Sequence, residues 1–78
     1  MEIIMESRIA EHEVLSKRET QVLELITEGY TNKNIAGRLN VSGNTIAFHM
    51  KNIHRKLKVK TRHQAVIKAI VSGVITLK

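Results

Sequence analysis

Ile46, Met50, Ile53 and Leu57 fall at i, i+4, i+7 and i+11. That spacing gathers four apolar side chains on one face of an α-helix and would scatter them over both faces of a strand. It predicts a helix of about four turns beginning at Gly43. Its opposite face carries Asn44, Phe48, Lys51 and Arg55, flanked by Ala47 and Lys58, and His49 lies at the edge of the apolar stripe. A helix with one buried stripe needs partners to cover it.

The rest of the chain supplies them. Ser16-Lys17-Arg18-Glu19 has the form of a capping box, in which Ser16 accepts from the backbone and Glu19 reaches back. Val22, Leu23, Leu25 and Ile26 then recur at helical spacing, and Gly29 stands where a left-handed C-terminal cap belongs. The first helix is expected from about Lys17 to Glu28. Thr31 caps a short second helix with Ile35, Ala36 and Leu39 on its apolar side; Asn40 turns the chain and Ser42 caps the long third helix. Gly37 lowers helix propensity inside the second helix, either because another backbone comes close or because the position is exposed. Thr61 caps a fourth helix starting at Arg62. Its residues Ala65, Val66, Ala69, Ile70 and Gly73 form one face, while Ile67, Val71 and Val74 form a second apolar stripe. The second stripe suits a partner, unless this end helix is buried on two sides.

With 78 residues, no Cys, no Pro, no Trp, one Phe and one Tyr, the core must come from Leu, Ile, Val, Met and Ala. These features predict one all-α domain of four helices over 15–78, preceded by a linker or lead-in over 1–14. No apolar stretch reaches the roughly 20 residues of a membrane span. The first residues lack the pattern of a signal peptide, so a cytoplasmic location is expected.

Charge is segregated along the chain. All seven acids are Glu and all lie within the first 28 residues, against three basic residues there. From Gly29 to Lys78 there are ten Lys or Arg and no acid. The field of such a segment draws a polyanion, most simply nucleic acid; the plainer reading is a solvated basic surface. Enzymatic chemistry finds no support. The four His have no Cys or Asp near them, His49 and His54 do not share a helix face, and no acid is left in the second half to complete a Ser–His–acid set. No catalytic residue, metal site or cofactor is expected.

Two helices, a connection of about three residues and a longer helix with a charged outer face make a helix-turn-helix arrangement. The second helix can then cross the phosphate backbone while the third enters the major groove. Ser42, Asn44 and Thr45 stand at the positive end of the third helix, where hydroxyls and backbone N–H groups suit phosphate oxygens. Lys51 and Arg55 can reach bases or phosphates from the same face. Thr31, Asn32 and Lys33 at the start of the second helix, with Asn52 on the third, complete the candidate DNA contacts.

Residues 15 to 75 closely resemble the LuxR/GerE-type DNA-binding domain of bacterial transcription regulators. The matching segments are Leu15-Ser16-Lys17-Arg18-Glu19 with Val22-Leu23, and Gly29-Tyr30-Thr31-Asn32-Lys33 with Ile35-Ala36 and Leu39. They continue through Val41-Ser42, Thr45-Ile46, His49, Asn52-Ile53, Lys56-Leu57, Val59, Arg62, Ala65-Val66, Ala69 and Gly73. The resemblance implies a four-helix domain that reads double-stranded DNA with its third helix and forms a homodimer through its fourth. An inverted-repeat operator follows from the two-fold symmetry, and RNA polymerase is a further candidate partner. One position departs from the family pattern. Where Lys or Arg is frequent, this chain has Ala47, followed by its only Phe, Phe48. Either residue can touch a thymine methyl; alternatively Phe48 packs against the first helix or a partner.

Three other readings compete with a sequence-specific regulator. A promoter-reading domain of sigma factors shares the helix-turn-helix and the basic charge, but the Asn32-Lys33 pair and the Ala65, Ala69, Gly73 ending favour the regulator. A protein-interaction module would use the fourth helix and bind no DNA. An amphipathic membrane-surface role is least favoured, because Lys and Arg here do not flank a Trp/Phe-rich face.

Overall fold

The computed structural model describes residues 14–75, so the predicted lead-in lies outside the described residues except for Val14. Four helices follow in order: α1 (Lys17–Thr27), α2 (Asn32–Leu39), α3 (Gly43–Leu57) and α4 (Arg62–Val71), with no strand among the described residues.

The helices begin alike. A hydroxyl oxygen accepts the N–H three residues ahead at 3.1 Å in every case: Ser16 from Glu19, Thr31 from Asn34, Ser42 from Thr45 and Thr61 from Gln64. At α1 the capping box is complete, because the Ser16 N–H donates to Glu19 Oε1 at 2.9 Å. Each bond satisfies a donor that the helix cannot pair internally.

They also end alike. Gly29, Asn40, Lys58 and Gly73 take positive φ of 97°, 60°, 59° and 82°. The next N–H in each case returns to the carbonyl five residues back: Tyr30 to Leu25, Val41 to Ala36, Val59 to His54 and Val74 to Ala69, at 2.9–3.1 Å. This is the Schellman closure, and it favours an apolar residue just past the turn, folded back on the last helical turn. Tyr30, Val41, Val59 and Val74 fill that role, each half-buried against the core.

That pattern corrects one sequence expectation. Val74 does not extend the outer stripe of the fourth helix; the helix ends at Val71, and Val74 packs inward as the apolar lock of the last turn. Ile67 and Val71 do face solvent, 48% and 81% exposed. The apolar character of Val74 thus comes from turn chemistry and needs no partner to account for it. Gly37 has nothing within 4 Å of an added Cβ, so exposure rather than close backbone approach describes its place.

The core is built around α3, which packs against all three other helices. Ile46, Met50, Ile53 and Leu57 are all buried, meeting Val22, Leu23 and Ile26 of α1, Ile35 and Ala36 of α2, and Ala65 and Ala69 of α4. Val66, on the same side of α4, is half-buried against this cluster.

Candidate nucleic-acid interface

A buried stripe on α3 necessarily presents the opposite face outward. Asn44, Ala47, Phe48, Lys51 and Arg55 are exposed, and Asn52 is half-buried beside them. Phe48 is 61% exposed and touches its neighbour His49 with ring centroids 6.1 Å apart. It is not part of the core, which leaves packing onto α1 without support. The basic and amide side chains of this face share it with no acid.

The helix-turn-helix unit is α2, the three-residue connection Asn40-Val41-Ser42, and α3. Asn40 in the left-handed region reverses the chain, and Val41 anchors the turn on the core. At the start of α3 the Ser42 hydroxyl accepts the Thr45 N–H and lies 3.0 Å from the Thr45 hydroxyl. One of the two hydroxyl hydrogens serves that mutual bond, leaving the other for an outside acceptor. Thr45 is half-buried, whereas Ser42 and Asn44 are exposed.

The start of α2 is held by residues from elsewhere in the chain. Arg62 Nη1 donates to Asn32 Oδ1 at 2.7 Å, and Arg62 Nη2 donates to the Tyr30 carbonyl at 2.8 Å. Arg38 Nη1 donates to the Tyr30 hydroxyl at 3.0 Å, with its guanidinium carbon 5.1 Å from the ring centroid. Two guanidinium groups therefore bracket Tyr30, and their partners here are neutral oxygens that leave the positive charge uncancelled. Asn32, with its oxygen held by Arg62, keeps its amide NH₂ turned away from that guanidinium. Thr31 and Lys33 flank it, both exposed.

A second tie joins α3 to α1. Lys56 Nζ lies 2.8 Å from Glu19 Oε1, joining the far end of α3 to the first turn of α1. Glu19 is 5% exposed, the one buried charged residue among those described. Burial alone would raise its carboxyl pKa; the Lys56 hydrogen bond, the Ser16 backbone N–H, the Lys56 charge and the Ser16 hydroxyl together hold it below the usual carboxylate range. From the sequence Glu19 is legible as a capping and family-pattern residue and Arg62 as a helix start and family-pattern residue, but not their partners. Neither long-range partner leaves a local signal, because the pairs are separated by 37, 30 and 32 positions. Of the two central His, His49 lies against Phe48, and the Nε2 of His54 is buried with no hydrogen-bond partner among the described residues.

Residues 13–69 match the GerE family, described as bacterial regulatory proteins, luxR family. The chain belongs to this family. The luxR-family domain here is 38% identical over 65 residues to the transcriptional regulatory protein DegU of Brevibacillus brevis, covering 83% of this chain and 28% of DegU. It is 44% identical over 55 residues to the HTH-type transcriptional regulator MalT of Vibrio campbellii, covering 70% of this chain and 6% of MalT. Among solved structures it is similar to the response regulator ChrA of a heme-sensing two-component system, with TM-score 0.78 and 32% identity. That match covers 81% of this chain and 31% of the ChrA chain. The chain thus spans about a third or less of the length of these relatives. The four-helix fold and the helix-turn-helix are those of the luxR-family domain of DNA-binding transcription regulators, as the resemblance in the sequence implied.

Proposed function

We propose that this luxR-family domain reads a specific operator by laying α3 in the major groove of double-stranded DNA, with α2 across the phosphate backbone. The observation that carries this reading is the outward face of α3, where Asn44, Phe48, Lys51 and Arg55 stand together opposite the buried stripe. Lys51 addresses a base edge, while Arg55 takes a phosphate and Asn52 and the Ser42–Thr45 hydroxyl pair take phosphates or bases around it. Ala47 lies beside Phe48 on the groove side. Thr31, Asn32 and Lys33 take the phosphates met by α2. The helix-turn-helix geometry supports each placement.

The same reading joins two copies through α4, where Ile67 and Val71 offer an apolar face too small for a standard stable interface. DNA supplies the missing affinity by holding two half-sites close, and two-fold symmetry makes the operator an inverted repeat. As a regulator of transcription the protein acts in the cytoplasm, with RNA polymerase as a further partner. None of the described helices is long and apolar enough to cross a membrane.

Selection of bound DNA from random sequence, followed by anisotropy titration at several salt concentrations, tests the proposal. Affinity for the selected site should fall steeply and log-linearly with salt. Lys51→Ala should cost about 1–3 kcal/mol on that site and relax its preference, whereas Arg55→Ala should weaken all sequences alike. Wild-type binding by both variants would remove α3 as the reading head.

A further inference from the structure

Phe48 is the single Phe of the chain and lies at the centre of the outward face of α3. Asn44 stands one turn before it and Lys51 and Asn52 one turn after, so polar and cationic groups surround it. Of the four large hydrophobic residues that are exposed among those described, Val14 precedes the first helix, and Ile67 and Val71 lie on α4; Phe48 alone belongs to the helix-turn-helix. Its neighbour Ala47 is also exposed and apolar. The interior has no use for this ring, and Phe48 could be replaced by a polar residue without opening a cavity.

The major groove offers few complements to such a ring. Base edges there present hydrogen-bond donors and acceptors, and the apolar group among them is the C5 methyl of thymine. Resting on the reading that α3 enters that groove, we propose that Phe48, with Ala47 beside it, is a specificity determinant that recognises thymine through its methyl group. The ring covers the methyl while Lys51 and Asn44 fix the helix over the adjoining base pairs. Ala47, exposed beside the ring, adds a second small apolar surface where a cationic side chain would add a polar one. Discrimination at this position is apolar: it favours thymine over cytosine by the methyl, and it is insensitive to salt where the phosphate contacts are not.

The decisive comparison replaces single thymines of the selected operator with deoxyuridine, which removes the methyl and leaves base pairing intact. Wild-type protein should lose about three- to tenfold in affinity at one position of each half-site, the scale of one buried methyl group. Phe48→Ala should bind the thymine site more weakly, by about tenfold or more, and should no longer distinguish thymine from uracil there. Phe48→Leu, which keeps an apolar side chain, should retain part of the distinction. Melting temperatures of both variants should match wild type, since the ring is outside the core. Three results would overturn the inference: wild-type binding indifferent to uracil at every position; Phe48→Ala retaining the full thymine preference; or a lowered melting temperature with specificity intact, which would make the ring structural. Each of these leaves salt-dependent operator binding in place. Absence of any DNA binding would instead remove the proposed function, and capture of a protein partner lost in Phe48→Ala with DNA specificity unchanged would assign the ring to that partner.

Discussion

Glu19 serves two structures at once. It closes the capping box of α1 and receives Lys56 from α3, so its ionised form is worth more folded than unfolded. Its carboxyl is held below the unfolded range. The stabilisation is therefore fully present above the unfolded carboxylate pKa and is lost as pH falls through the folded value. Glu19→Gln should lower stability at neutral pH by about 1–3 kcal/mol, because Lys56 is left without its charge partner. Thermal unfolding followed from pH 7 down to pH 2 checks this. The gap between variant and wild type should close in acid, and a gap constant with pH would show that charge has no part in it. At this scale the sequence revealed the local half of each role. Ser16 and Glu19 are three apart and announce a cap, but Lys56 and Arg62 find their partners only once the helices have docked.

The helices themselves were largely legible. Apolar spacing located all four, and Ser16, Thr31, Ser42 and Thr61 marked their starts, because each cap is satisfied within three residues. Their ends were partly legible: Gly29 and Asn40 advertise a left-handed residue, whereas Lys58 adopts one at φ 59° with a side chain that gives no hint of it. Val74 misled for a related reason. An apolar residue past a helix end continues the helical spacing on paper, although the turn at Gly73 has already redirected it inward. What remains outside on α4 is Ile67 and Val71, and the proposed dimer rests on these two. Val71→Glu should stay folded, since Val71 is 81% exposed. It should keep its affinity for a half-site and lose cooperative binding to the inverted repeat, as read by gel shift on sites with one and two halves. Undiminished cooperativity would mean that another surface joins the subunits.

Across the whole molecule, function follows from how little of the surface the core consumes. One stripe of α3 is buried against α1, α2 and α4, and the exposed face opposite it is the one we propose for DNA. The division of charge was visible in the sequence, and so was the helix-turn-helix; the neutral partners of Arg38 and Arg62 were not, because they lie on distant or turn residues and leave both guanidinium charges uncancelled. The caps carry a consequence of another kind. Each described helix is started by a hydroxyl three residues away and closed by a bond five residues back, so the signals that set its ends are local, although its stability waits for docking. A chain organised in this way has a short search to make, and this one has no proline to impose a slow isomerisation. Refolding after a denaturant jump should be a single exponential completed within about a millisecond, with no phase on the scale of seconds. A slow phase would mean that docking of the helices, rather than their formation, limits the rate.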